Sequence, residues 1–289
     1  MSKENFKAAF AIPLILLIAA GIAWAGSQGG SVLEGGLPLF ALAVVLSFLI
    51  NWLVFIPSYL YQTEKFFDIT GTLTYITLTV TSLLLAPQPD LRTYLVAALV
   101  IAWTLRLGTF LFRRIHKAGK DGRFDDLKPS FFRFLTVWTL QGLWVVFTMA
   151  AALVVITSST RVDFDVFAIV GLLVWLFGFA FEVVADAQKS RFRADPANKG
   201  KFIRTGLWSK SRHPNYFGEI VLWIGVAIIA LPVLRGWQWV ALISPVFVTI
   251  LLTKISGVPL LEKSADERWG GQEDYEDHKK NTPVLIPKL

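Results

Sequence analysis

The sequence predicts an all-α, polytopic membrane bundle of seven or eight transmembrane helices. Three observations support this. Apolar residues make up 54% of the 289 residues and charged residues only 17%, against roughly 25% in soluble domains. Mean hydropathy is +0.56. Apolar runs near the ~20 residues needed to cross a ~30 Å hydrocarbon core recur along the chain.

The first run, Ala8 to Ala25, follows a short basic start. A signal peptide is one reading; the direct continuation into Gly- and Ser-rich sequence and a second long apolar run favours a retained helix. Further runs cover Leu37 to Tyr61, Phe67 to Ala86 (stopped by Pro87-Gln-Pro89), Tyr94 to Phe112, Phe134 to Thr157 and Val166 to about Asp186. The block Ile220 to Thr253 is too long for one span and is broken by Pro232 and Arg235-Gly236, which predicts two helices, roughly 220–231 and 237–253. A single domain over 1–289 is expected, with 1–30 an extra N-terminal helix and 254–289 a cytoplasmic surface tail.

Charge orients the bundle. Segment 113–133 carries Arg113, Arg114, Lys117, Lys120, Arg123, Lys128 and Arg133, and segment 187–217 carries Lys189, Arg191, Arg193, Lys199, Lys201, Arg204, Lys210 and Arg212. The intervening loops hold at most one Lys or Arg each. The positive-inside rule then places both termini in the cytoplasm.

Several chemistries are not expected. With no cysteine there is no disulfide, thiolate metal site or thiol nucleophile. His116, His213 and His278 lack zinc-ligand spacing, so no metal is expected. No Gly-x-Gly-x-x-Gly fingerprint or P-loop is present.

Ionisable groups within or at the ends of spans carry the functional signal, because they are costly there. Arg106 lies in the fourth run. Glu182 and Asp186, four residues apart, share one face at the end of the sixth. Asn215 and Glu219 repeat that spacing at the start of the seventh. Gln62, Glu64 and Asp68 form a polar group between the second and third runs, where a half-buried Glu64 with a raised pKa could serve as proton donor or hydrogen-bond anchor. The segment 187–217 sets eight basic residues against Asp195, interleaved with Trp208, Tyr216 and two asparagines. Arginines bind phosphate and aromatics stack on planar rings, so a nucleotide cofactor with several phosphates suits this segment and nucleic acid does not. Lys201, Trp208, Arg212 and His213 belong to the candidate cofactor set, with His213 ordering the turn before Pro214. Glu262 joins them from a tail expected to pack under the bundle.

The stretch Gly206-Leu-Trp-Ser-Lys-Ser-Arg-His-Pro-Asn-Tyr-Phe-Gly-Glu219 resembles the bacterial branch of the steroid 5α-reductase family, and the resemblance extends over roughly Leu37 to the C-terminus. It implies an NADPH-dependent membrane reductase of 3-oxo-4-ene steroids or similar enone lipids, a helical bundle with a cytoplasm-facing cofactor cavity. By that resemblance Asp186, Arg191 and Arg193 contact ribose and phosphates, and Asn215, Tyr216 and Glu219 face the nicotinamide. Arg106 matches the family's arginine in the helix before the first basic loop. Gln62 and Glu64, with one residue between them, are the nearest match to the pair that grips the 3-oxo group. Trp103 stands where a tyrosine is expected, so Tyr75 or Tyr94 is the substitute. Catalytic roles fall on Gln62, Glu64 and Tyr75, and substrate contacts on Trp103 and Tyr94. The implied location is the bacterial inner membrane.

Two alternatives stand beside this reading: an adenosylmethionine-dependent methyltransferase of the isoprenylcysteine type, which shares the Arg-His-Pro-Asn-Tyr block, and a non-enzymatic lipid-binding bundle. The excess of positive charge in 187–217 favours the phosphorylated cofactor.

Overall fold

The computed structural model describes residues 3–118 and 121–288, without the side chains of residue 3 and residues 112–118. Arg113, Arg114, His116, Lys117 and Lys120 of the first basic segment therefore lie outside the described side chains. Among the described residues ten α-helices run in order: α1 (Lys3–Ser27), α2 (Leu39–Leu60), α3 (Phe67–Leu85), α4 (Leu91–Ala118), α5 (Phe131–Thr157), α6 (Val166–Ala194), α7 (Pro214–Ala230), α8 (Ile243–Ile250), α9 (Gly257–Trp269) and α10 (Glu273–Asn281). The described residues contain no strand longer than an isolated bridge.

Among the described residues, seven helical stretches are long and apolar enough to cross a membrane: α1 to α6 and the composite stretch Gly236–Trp269, while α7 is a shorter apolar helix. The expected break after Leu231 is present: α7 ends at Ala230, and a 3₁₀ turn over Gly236–Leu242 leads into α8. Two expected boundaries move. The sixth helix continues past Asp186 to Ala194, carrying Lys189, Arg191 and Arg193 in its last turns instead of in a loop. The seventh begins at Pro214, not Ile220, because proline is pre-set for a first helical position where no amide partner is needed.

The chain divides into two compact units. The first comprises Met1–Phe167 and Ala230–Ile243, and the second Ala168–Ile229 and Ser244–Leu289.

In the first unit α5 is the central helix, packing on α1, α2, α3 and α4. It is buried almost without a break from Gln141 to Thr157. Ser130 caps its start by accepting from the Arg133 amide. A polar seam joins three helices: Ser47 Oγ donates to Gly142 O at 2.8 Å, Asn51 Nδ2 donates to Ser47 O at 2.8 Å, and Gln141 Nε2 donates to Phe67 O at 3.0 Å. Such bonds tie helices where hydrophobic burial against lipid offers little selectivity. At the opposite loops Arg92 is buried and pairs with Asp165 at 2.8 Å.

In the second unit α6 and α7 meet along a glycine seam. A Cβ at Gly178 would lie 2.5 Å from Leu222 N and 2.6 Å from Gly218 O; one at Gly225 would lie 2.6 Å from Trp175 N. Gly171 completes the pattern against Gly225 O. The seven-residue spacing on both helices keeps the backbones in contact over two turns, the close approach that small residues permit between membrane helices.

Candidate functional site

The glycine seam places the candidate polar groups of the second unit. A Cβ on Gly218 would sit 2.6 Å from the Glu182 amide nitrogen. Glu182 and Asp186 are buried one and two turns beyond Gly178. On α7, Asn215 and Glu219 occupy the first turns, and Asn215 Oδ1 is buried without a hydrogen-bond partner in the chain. The two four-residue spacings read from the sequence therefore fall on two helices whose backbones touch.

A cavity of about 270 Å³ lies in the same unit. Lys189, Arg193, Lys201, Arg212 and Arg268 supply its cations, and Glu262 its one carboxylate. Phe202, Trp208, Trp269, Tyr275, His213 and His278 supply flat surfaces. Helical geometry explains which basic residues reach it. Lys189 and Arg193 are four apart and share a face, whereas Arg191 falls on another and does not line the cavity. Glu182, Asp186, Asn215, Tyr216 and Glu219 do not line the cavity either; they occupy the helix pair beside it.

The walls are held by specific bonds. Trp208 Nε1 donates to Ala185 O at 2.9 Å, and the Lys189 ammonium sits 4.3 Å from the Trp208 ring centre. The Leu207 amide donates to Gln188 Oε1 at 2.9 Å. Gly206 adopts φ +62°, and a side chain there would strike Gln188. Phe202 packs against Trp269, Tyr275 and His278, with ring centres 5.3 to 5.8 Å apart. Trp269 Nε1 donates to Gly200 O at 2.6 Å. Tyr275 donates to Asp266 Oδ1 at 2.8 Å, and Lys279 also binds that oxygen. Burial and the Asp266 carboxylate together push the Tyr275 phenol well above its usual pKa, so it remains a neutral donor.

The tail closes one side. The amides of Arg212 and His213 donate to Pro283 O and Val284 O, Ser211 Oγ donates to Leu285 O, and the Lys288 amide donates to Lys210 O. Glu262 on α9 receives Arg212 Nη1 at 2.5 Å and His213 Nε2 at 2.7 Å. His213 stacks on Tyr216 at 5.6 Å with an interplanar angle of 8°. The histidine thus does more than order the turn before Pro214.

The candidate residues of the first unit are not gathered in this way. Gln62 has φ +50° and an exposed side chain that donates back to Tyr59 O at 2.7 Å, ending α2. Glu64 is buried, but its Oε2 binds Lys128 Nζ at 2.6 Å and its Oε1 accepts the Asp121 amide at 2.9 Å. Burial pulls its pKa upward; Lys128 and the Asp121 amide outweigh that pull, so the carboxyl titrates below its ordinary range. The expected protonated, raised-pKa Glu64 is therefore corrected to a carboxylate clasping the loop 121–128. Tyr75 lies eight residues into α3, about 12 Å of helical rise from its start. Tyr75 instead meets Trp103 edge-on at 5.2 Å. Tyr94 is exposed, and Arg106 lies over Phe110 at 5.7 Å.

Sequence reasoning missed Lys189, Phe192, Phe202, Arg268, Trp269, Tyr275 and His278 as cavity walls. Lys189 and Phe202 were within the basic segment already singled out. The aromatic and basic residues of α9 and α10 carry no motif and are brought in only by the fold of the tail.

Residues 54–282 match a family described as "Protein of unknown function (DUF1295)". The chain belongs to the DUF1295 family. The match takes in α3 to α10 and all the cavity residues named above. The chain is also similar to rat (Rattus norvegicus) "3-oxo-5-alpha-steroid 4-dehydrogenase 1", with 29% identity over 117 residues, 40% of each chain. The DUF1295 chain thus spans well under half of that relative. No solved structure matches.

Proposed function

We propose that this DUF1295 protein is a membrane reductase that binds NADPH in the second unit and reduces the conjugated double bond of an enone lipid, of which a 3-oxo-4-ene steroid is one form. The observation that carries the proposal is the cavity wall: Lys189, Arg193, Lys201, Arg212 and Arg268 beside Phe202, Trp269 and Tyr275. Clustered guanidinium and ammonium groups bind phosphates, and the aromatic faces take a planar base. At about 270 Å³ the cavity falls just short of the ~300 Å³ at which drug-sized sites begin, so it fits one end of a dinucleotide. The buried, unpartnered Arg212 Nε, His213 Nδ1 and Asn215 Oδ1 are consistent with a polar ligand. The partial similarity to a steroid dehydrogenase gives the reaction class.

When bound, the cofactor supplies a hydride. The chain's own residues do the rest. Arg193, Lys201, Arg212 and Arg268 neutralise phosphate charge, and Trp269 and Phe202 present ring faces to the base. Glu182, Asp186, Asn215 and Glu219, on the touching helices α6 and α7, offer acceptors and an amide to the nicotinamide end. A hydrogen-bond donor at the substrate carbonyl stabilises the negative charge that builds on the oxygen as hydride adds to the β-carbon.

Charge separates this proposal from methyl transfer. Adenosylmethionine has no phosphate to set against the cations of the cavity wall. The test is binding of NADPH and adenosylmethionine to the purified full-length protein, followed by NADPH oxidation with steroid and non-steroid enones. Saturable NADPH binding with enone-dependent oxidation supports the reading; adenosylmethionine binding without NADPH binding refutes it.

A further inference from the structure

The C-terminal segment 283–288 forms a hook on the turn that precedes α7. The amides of Arg212 and His213 donate to Pro283 O at 2.9 Å and Val284 O at 3.1 Å, Ser211 Oγ donates to Leu285 O at 2.8 Å, and the Lys288 amide donates to Lys210 O at 3.0 Å. Four hydrogen bonds within six residues hold the hook firmly. Its apolar side chains nevertheless turn outward: Ile286 is 69% exposed and Val284 38%. Fixing two β-branched apolar groups in water is unfavourable, and a lipid boundary removes that cost.

The hook lies at the right depth for such a boundary. Trp208 Nε1 bonds Ala185 O, and the Leu207 amide bonds Gln188 Oε1, so the turn sits level with the end of the sixth apolar run near Asp186. Pro214 then opens α7 fewer than two helical turns before the apolar run that starts at Ile220. This is the headgroup zone, roughly 5–8 Å thick on each side of the hydrocarbon core. The charges agree with the depth. Lys210 and Lys288 are both exposed, and the bond between their backbones keeps them beside Ile286. Lys288 Nζ also donates to Asn281 O at 2.5 Å, a neutral acceptor that leaves its charge in place.

We propose that residues 283–288 are an interfacial anchor for an anionic leaflet: Val284 and Ile286 enter the boundary between headgroups and acyl chains, and Lys210 and Lys288 meet lipid phosphates. The hook carries the amides of Arg212 and His213, two residues of the cavity wall. Anionic lipid therefore stiffens that wall from outside, whatever the cavity binds.

The chain has no cysteine, so Ile286→Cys, Lys280→Cys and Leu14→Cys each take one nitroxide label. Lys280 is exposed on α10, and Leu14 is exposed on α1, a candidate span. The full-length protein is placed in nanodiscs of phosphatidylcholine, alone or with phosphatidylglycerol added. Power saturation compares collision with oxygen, which partitions into acyl chains, and with a water-soluble nickel chelate. In the anionic discs the Ile286 label favours oxygen severalfold more than the Lys280 label and falls between it and the Leu14 label. In the wild type, the Arg212 and His213 amides exchange with deuterium about fivefold or more slowly in anionic discs than in phosphatidylcholine, the value of at least one lysine at an anionic surface. The double variant Lys210→Gln, Lys288→Gln removes that difference. An Ile286 label as open to nickel as the Lys280 label overturns the proposal. So does a label shielded from both reagents, the mark of a second copy covering the hook. Equal amide exchange in the two lipids, or a difference that persists in the double variant, overturns it too. The wild-type exchange comparison needs no substitution and decides even where a labelled variant fails to fold.

Discussion

The two units treat buried charge in opposite ways. In the first, Glu64 is fully committed: Lys128 takes one oxygen and the Asp121 amide the other, and the group titrates low as a result. In the second, Glu262 also binds two partners, yet Arg212 and His213 each retain a buried nitrogen with no partner in the chain. Burial of an acid therefore does not by itself mark a site. What distinguishes the second unit is that its acid, Glu262, and both of that acid's partners line a cavity rich in cations.

The largest effect that sharpens this contrast lies in the glycine seam. Gly218→Val sets a branched side chain against the backbone of Glu182 and Gly178, atoms that cannot rotate aside. A loss of about 3 kcal/mol or more is expected. Thermal unfolding in detergent, with nucleotide binding on whatever remains folded, measures it. A stable variant with normal binding would mean that α6 and α7 do not need this contact.

Next in size is the Glu64 clasp. Glu64→Gln is expected to destabilise the protein by about 1–3 kcal/mol through the half-satisfied Lys128, with nucleotide affinity unchanged. The sign with pH follows from the lowered folded-state pKa. The clasp contributes stability above the unfolded value of about 4.3 and loses it as pH falls through the folded one. Glu64→Gln should therefore flatten the acid limb of the stability profile. Equal acid sensitivity in both proteins would show that the clasp is not formed, and lost nucleotide binding would return Glu64 to the site.

Arg268→Ala and Lys201→Ala act on the other side of the comparison. Each should weaken NADPH binding about tenfold, in line with a charge-assisted hydrogen bond, and make binding less sensitive to salt. Thermal stability should move little, since both residues lie on the cavity wall and neither is buried in the core. Titration at two ionic strengths checks this. The smallest effect expected is that of Tyr275→Phe, which removes the bond to Asp266 but keeps the ring against Phe202. A cost of about 1 kcal/mol in stability with near-normal nucleotide affinity is predicted, read from the same titrations.

Much of this architecture was legible in the sequence because membrane spans announce themselves by length and composition. The helices and the break near Pro232 stand where the apolar runs place them. The boundary errors have one cause: hydropathy marks where a helix leaves the apolar layer, not where its hydrogen bonds end. So α6 runs on through Lys189 and Arg193, and α7 starts at Pro214. For the site, the basic segment and the Arg-His-Pro-Asn-Tyr block led to Arg193, Lys201, Trp208, Arg212, His213 and Glu262, all of which line the cavity. The contacts of Gln62 and Glu64 were not legible because their partners, Tyr59 O and Lys128, are matters of backbone conformation and distant loops. No spacing in the sequence encodes Lys128 at 64 residues' separation, nor brings Trp269 and Tyr275 to Phe202.

The central claim is that the second unit's cavity takes a phosphorylated dinucleotide. The most direct measurement is calorimetric titration of the purified full-length protein with NADPH, NADH and adenosylmethionine, on wild type and Arg268→Ala. The account predicts saturable binding of NADPH, weaker binding of NADH, none of adenosylmethionine, and a roughly tenfold loss for NADPH in the variant. Tight adenosylmethionine binding that is indifferent to Arg268→Ala, with no heat from NADPH, would contradict it.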